Sequence, residues 1–192
     1  MKKMSIILLV VIFLLINMIS CALPDKLPSQ SQSTNELASL SDNKLYKTVI
    51  SRIDHQIENH ESLEEGFASL NFSQKVIYSI DYYEMEIGCG GLCQFFVNSS
   101  RMVAPFMSEY LAAIGAEEHK ILYGKFIEEN NIDLSDLSSF DIDSNEDYIA
   151  LTQRYPFDKF DDTFYELESL KPLLIQYIRN NLNDFQLISS VK

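Results

Sequence analysis

The residues of this 192-residue chain that could do more than build a fold are three histidines, three cysteines and a dense run of carboxylates. His55 and His60 stand five apart, so on a helix they point in different directions. His119 follows two glutamates in what reads as the first turn of a helix. All three are expected at the surface. None belongs to a Ser-His-Asp grouping or an HExxH pair, and the chain has no P-loop and no GxGxxG. Cys89 and Cys93 flank Gly90-Gly91, and three alternatives stand open for them: buried free thiols, a disulfide, or half of a metal site. Helical i, i+4 spacing suits a disulfide poorly, and two cysteines without a neighbouring histidine make a poor zinc set. Asp141, Asp143, Asn145 and Asp147 alternate like the first half of a calcium loop. Glu146 stands where such a loop needs glycine, however, and Thr152 where it needs a bidentate glutamate. Paired acids such as Glu84 and Glu86, or Asp161 and Asp162, could serve a hydrolase, but alternate or adjacent side chains diverge on a helix. No metal, no cofactor and no enzymatic activity are expected.

The acidity is patterned. Twenty-eight acidic side chains against fifteen basic ones give a net charge of −13, which repels phosphate backbones and argues against nucleic-acid binding. Between Glu128 and Glu168 there are thirteen acidic residues and only two basic ones, Arg154 and Lys159. A solvated face kept for solubility is one reading. The sharper one is a recognition surface for a basic protein partner, formed by Glu128, Glu129, Asp133, Asp136, Asp141, Asp143, Glu146, Asp147, Asp158, Asp161 and Asp162. Such a field speeds encounter with a basic surface and selects against acidic competitors. Carboxylates spaced over a helical surface could also imitate a run of phosphates.

The N-terminus speaks to compartment. Lys2 and Lys3 precede an almost wholly apolar run from Ile6 to Ile16, too short and wrongly flanked for a stable membrane span and right for a secretory signal. Met18-Ile19-Ser20-Cys21 resembles a bacterial lipobox, which implies cleavage before Cys21 and its lipidation, palmitate included. Two or more acyl chains anchor stably where one does not. Residues 1–20 are therefore expected to be a lipoprotein signal peptide. Residues 21–41, with Pro24, Pro28 and several Ser and Gln, are expected to be a flexible tether without secondary structure. Ala22 after the cysteine is compatible with sorting to the outer membrane, facing the periplasm, if the host is Gram-negative.

The elements that must position these residues are helices. Leu45, Tyr46, Val49, Ile50, Ile53 and Ile57 recur at three- and four-residue steps after Ser41 and Asp42. A second helix is expected from Ser73 with Val76, Ile77, Ile80 and Tyr83 on one face, and a third segment from Leu92 to Asn98 after the glycines. Val103, Phe106, Met107, Tyr110, Leu111 and Ile114 give a fourth, stopped by Gly115. Glu117 and Glu118 suit the first turn of the next, whose core face reads as Ile121, Leu122 and Phe126. Residues 130–143 read as an acidic loop. Ser144 caps a short helix through Tyr148, Ile149 and Thr152 that Pro156 ends, and Pro172 divides the last helical stretch. No period-2 strand is apparent. The expectation is an all-α fold in a single domain over 42–185, with a short tail over 186–192.

A resemblance joins several of these pieces. Glu86, then Gly90-Gly91, Gln94, Phe95-Phe96 and Asn98 resemble the signature of a bacterial domain family of unknown function, the DNA mimic protein nineteen-like family. The likeness continues in 112–116, in 160–165 with Phe164 and Tyr165, and in 177–181. It covers roughly 42–185. Cys89 and Leu92 depart from the family's usual Asn and Phe. The resemblance implies an all-helical fold, often dimeric, so a homodimer is compatible, and it implies no established enzymatic activity. Physically, Gly90-Gly91 would permit a tight entry into the next helix, Gln94 and Asn98 would bond neighbouring groups, and Phe95 and Phe96 would anchor the core. These residues read as fold determinants. A lipid-anchored domain outside the cytoplasm cannot meet a cytoplasmic DNA-binding protein, so the family's mimicry is not carried over with the fold. The expected function is a non-enzymatic envelope lipoprotein that binds a protein partner, an immunity-like protein against a basic toxin being one form. The alternative is a cytoplasmic DNA mimic that occupies the DNA-binding surface of a transcription factor.

Overall fold

The computed structural model describes residues 34–186. The expected signal peptide, the lipidation residue Cys21, the tether as far as residue 33 and the tail from residue 187 lie outside the described residues.

Helix α1 (Thr34–Ser39) buries Leu37 completely. The tether expected over 21–41 therefore stops short, because one leucine with a place in the core outweighs the polar residues around it. Arg179 holds the segment down. Its guanidinium donates to the Leu40 carbonyl at 2.9 Å and to the Asp42 carboxylate at 2.5 and 2.8 Å. Helix α2 (Asp42–Glu58) turns Leu45, Val49, Ile53 and Ile57 inward, as the spacing predicts. Helix α3 (Leu63–Ser69) has no counterpart in the sequence reading. It is seven residues long, too short to show a period, and it forms because the Ser62 hydroxyl accepts the Glu65 N–H and Phe67 reaches the core.

Helix α4 (Phe72–Val97) is the axis of the domain. It opens with a capping box between Asn71 and Gln74 and is buried on several sides, with α2, a long 3₁₀ segment, and the helices described next packed round it. The 3₁₀ segment (Ser99–Phe106) and α5 (Met107–Ala113) replace the single helix expected from Val103 to Ile114. Pro105, with no N–H to donate, lies where the pitch changes. Gly115 takes φ +76°, the left-handed stop expected of it. Then come α6 (Glu117–Glu129), α7 (Asn145–Arg154), α8 (Phe157–Glu166) and α9 (Lys171–Asn180). Ser144 caps α7 as expected, accepting from the Asp147 N–H at 3.1 Å. Pro172 lies in the first turn of α9, where its missing N–H costs nothing, and the break itself falls at 167–170. The architecture is all-α, and no strand occurs among the described residues.

Two helices bury a different face from the one their apolar residues suggest. In α6 the buried side chains are His119, Tyr123 and Phe126, and Ile121 is 59% exposed. In α7 Leu151 is buried and Ile149 faces out. The reason is aromatic packing around α4. Tyr83 meets Phe95, Tyr123 and Phe164 edge to face at 5.2, 5.9 and 5.8 Å, and this cluster sets the rotation of α6. The loop expected over 130–143 is acidic but not wholly solvated, since Phe140 is fully buried and stacks on Phe96 at 4.5 Å.

Candidate functional site

The signature residues converge on a break in α4. Gly90 and Gly91 leave helical geometry, and Gly91 adopts φ 77°, ψ 177°, a region open essentially to glycine alone. A β-carbon on Gly91 would lie 2.1 Å from Oδ2 of Asp161, and one on Gly90 2.0 Å from Oε1 of Gln94. The break starts a new helical run at Leu92, whose N–H donates to Oδ1 of Asp161 at 2.8 Å. Asp161 thus caps the restarted helix from α8, a position that favours negative charge. Burial, with Asp158 and Asp162 nearby, still raises its carboxyl above the usual range. Four residues along α8, the Tyr165 hydroxyl donates to the Ile87 carbonyl at 2.6 Å, on the N-terminal side of the break. One turn of α8 therefore bridges both halves of α4.

Glu86 is the second half of the arrangement. It is 7% exposed, and its carboxyl accepts from Gln94 Nε2 at 2.6 Å, Asn98 Nδ2 at 2.8 Å and the Ser100 hydroxyl at 3.1 Å. A buried acid with three donors is satisfied. Phe95 and Phe96 are fully buried beside it, and Phe164 packs on Tyr83. The motif is a structural knot. The same geometry separates the paired acids Glu84 and Glu86. Glu84 accepts from Ser169 Oγ and the Leu170 N–H at 2.8 and 2.9 Å, while Glu86 points into the knot.

Of the eleven carboxylates expected at a recognition surface, ten are exposed and Asp161 is not free, being committed to the Leu92 cap. Several are set in turns of their own making. Asp133 accepts from Ser135 at Oγ and N, Asp136 from the Ser138 N–H, and Asp147 from Ser144 Oγ. These hydrogen bonds hold all three below the usual carboxylate range. Asp141 pairs with Arg101, which also donates to the Phe140 carbonyl. With Asp141 and Asp147 so engaged, the four residues of the calcium-like spacing do not converge on a common centre. Among the described residues no three or more His, Cys, Asp and Glu side chains are grouped as a metal site would need.

His119 is a correction. It is 5% exposed, not a surface residue, with Nε2 at 2.9 Å from the Glu168 carbonyl and the ring against Phe164 at 5.0 Å. His55 and His60 are exposed as expected. The two thiols differ. Neither is in a disulfide: Cys89 is exposed and Cys93 is buried, where burial pushes its thiol up to about 11.

Sequence reasoning missed one cluster, where α2 meets α4. The Tyr46 hydroxyl donates to Asp81, Tyr78 and Tyr82 lie with ring centres 4.4 Å apart, and Lys171 sits over the Tyr46 ring at 4.9 Å. Burial pushes the Asp54 carboxyl up to about 6, with Asp81 and Glu58 adding to the rise, and Asp81 is raised as well. The signal was present, since Tyr46, Tyr78, Asp81 and Tyr82 all lie on helices correctly read. Nothing in one helix reveals which residues of another will face it.

The fold and its knot define an all-helical domain organised round a broken central helix and a buried, fully hydrogen-bonded glutamate. The chain belongs to the DMP19-like protein family, which it matches over residues 68–181. That span takes in Glu86, the glycine pair, Asp161 and Tyr165. No curated protein and no solved structure matches the chain.

Proposed function

We propose that this chain is a non-enzymatic lipoprotein of the bacterial envelope, anchored through Cys21, that presents an acidic helical domain to a basic protein partner. The observation that carries the reading is the exposure of ten carboxylates between Glu128 and Asp162, three of them held charged by their own turns. Membership of the DMP19-like family suggests a DNA-mimic type of protein and a non-catalytic one, in keeping with a binding role. An immunity-like protein that neutralises a basic toxin is one form this takes, and the lipobox-like Met18-Ile19-Ser20-Cys21 supports a lipid anchor, in the outer membrane facing the periplasm in a Gram-negative host.

The test combines location and charge. Cells are labelled with a clickable fatty acid, fractionated, and compared with a Cys21→Ala strain. Lipid on the wild type alone, in the membrane fraction, is the expected result. The acidic surface is tested by pull-down from envelope extract at low salt. The comparison is a variant in which Glu128, Glu129, Asp158 and Asp162 become Gln or Asn. A basic protein held by the wild type and released by the variant supports the reading, and its absence counts against it. An unlabelled, cytosolic, full-length chain that competes with DNA for a transcription factor would replace it with cytoplasmic DNA mimicry.

A further inference from the structure

Two phenylalanines that stay in water share one neighbour. Phe72, the first residue of α4, is 50% exposed, and Phe106, the last of the 3₁₀ segment, is 44% exposed. Both rings rest on Tyr110 at 5.9 Å, Phe72 edge to face and Phe106 stacked, and Pro105 before Phe106 is exposed as well. Neither ring stands on a loose segment. The capping box of Asn71 and Gln74 fixes Phe72 at the start of its helix, and the Tyr123 hydroxyl donates to the Ala104 carbonyl at 2.8 Å, two residues before Phe106. The fold thus holds two apolar rings rigidly in solvent, a cost that covering them would remove.

Hydrogen bonds tie this patch to the place where the described chain begins. Thr34 donates to the Asn183 side chain at 3.1 Å, and Gln186 donates to both. One residue on from Asn183, Asp184 accepts from Asn71 Nδ2 at 2.7 Å and from the Ser73 hydroxyl at 2.5 Å, on either side of Phe72. The chain therefore enters the domain one short 3₁₀ turn (Leu182–Phe185) away from the exposed ring. Thr34 follows Cys21 by thirteen residues, a stretch that reaches at most about 45 Å.

Size decides what can cover the patch. Two half-exposed phenylalanine rings present roughly 200 Å² of apolar surface, about a quarter of the ~800 Å² that each side of a stable protein interface buries. That is too little to hold a second copy or a separate partner. A membrane joined to the same chain needs no affinity of its own, because a tether makes the contact intramolecular. We infer that Phe72 and Phe106 rest in the interfacial layer of the bilayer that carries the anchor. This orientation rests on the proposed lipidation of Cys21 and adds to it which face of the domain meets the membrane. Glu109, exposed and next to Tyr110, stays hydrated and keeps the rings at the headgroup level, where aromatic side chains gather. The same charge, with the net charge of the chain, favours a zwitterionic surface over an anionic one.

The chain contains no tryptophan, so Phe72→Trp and Phe106→Trp each introduce a single reporter at the patch. Ile149→Trp, 53% exposed in the acidic stretch, is the control. All three positions are in solvent, so the substitutions spare the core, and two separate patch positions guard against one that disturbs the fold. Each full-length protein is purified from membranes and reconstituted in vesicles of phosphatidylcholine and phosphatidylethanolamine, with and without brominated acyl chains. The expected result is a blue shift of Phe72→Trp and Phe106→Trp emission on reconstitution and its loss with brominated lipid, while Ile149→Trp keeps its emission.

Protein that floats with the vesicles while both patch reporters are quenched no more than Ile149→Trp would overturn the orientation and leave the lipid anchor standing. A blue shift that grows with protein concentration and ignores bromination would overturn it in favour of a second copy. Protein that carries no lipid and does not float with vesicles would overturn the anchor and the orientation together.

Discussion

Replacing Gly91 by alanine tests the knot directly. Its backbone, at φ 77° and ψ 177°, lies where any L-residue costs about 1–3 kcal/mol. The new methyl would also stand 2.1 Å from Oδ2 of Asp161. To relieve that contact the carboxylate must withdraw and give up the Leu92 N–H it accepts at 2.8 Å, and losing a cap of this kind costs about 0.5–2 kcal/mol. The two effects together predict a destabilisation of about 1.5–5 kcal/mol, a large share of the ~5–15 kcal/mol typical of a whole domain. Urea denaturation followed by circular dichroism measures it, provided the slope against urea is unchanged. A double-mutant cycle separates the parts. Asp161→Ala alone should cost only the cap, about 0.5–2 kcal/mol. In that background Gly91→Ala should retain only its backbone strain, about 1–3 kcal/mol, and cost less than in the wild type. A single-mutant cost below about 1 kcal/mol would refute the claim that Gly91 is held in a glycine-only conformation. An identical cost with and without Asp161 would refute the steric link to α8.

Two further outcomes follow from the buried carboxyls. Glu86→Ala leaves the Gln94, Asn98 and Ser100 donors unpaired around a cavity and should cost about 2–5 kcal/mol, whereas Glu86→Gln, which keeps the volume and an acceptor, should cost clearly less; urea denaturation distinguishes them, and equal effects would rule out the hydrogen-bond hub. Asp54 has a folded-state carboxyl raised to about 6 from an ordinary 3.8, so the folded protein holds its proton more tightly than the unfolded chain. Stability from this group is fully present below about pH 4 and is lost as pH rises through about 6. The Asp54→Asn variant should therefore show a flatter dependence of melting temperature on pH between 4 and 7, and an unchanged slope would show that Asp54 is not the group responsible.

Much of the architecture was open to reading because it depends on local rules. The span of α2 follows from a three-four apolar repeat, α7 begins where Ser144 can accept the Asp147 N–H, and Gly115 stops a helix because it alone tolerates a positive φ there. The break in α4 was likewise announced by two adjacent glycines. The bonding of Glu86 is local too: its neighbours in sequence, Gln94, Asn98 and Ser100, are donors within reach once the chain turns back.

What the sequence could not fix is which way α6 and α7 face. Ile121 and His119 sit two positions apart on α6, and hydrophobicity favours burying the isoleucine. The aromatic cluster of Tyr83, Tyr123 and Phe164 holds more contact area than one aliphatic side chain, so it rotates the helix, buries His119 and leaves Ile121 exposed. Asp161 is decided in the same way, since only the approach of α8 to the broken helix turns one acid in a charged run into a cap. Composition and spacing thus determine the helices, their stops and the acidity of the surface. Tertiary packing determines the faces that α6 and α7 bury, because that choice is made by the summed contact of residues far apart in the chain.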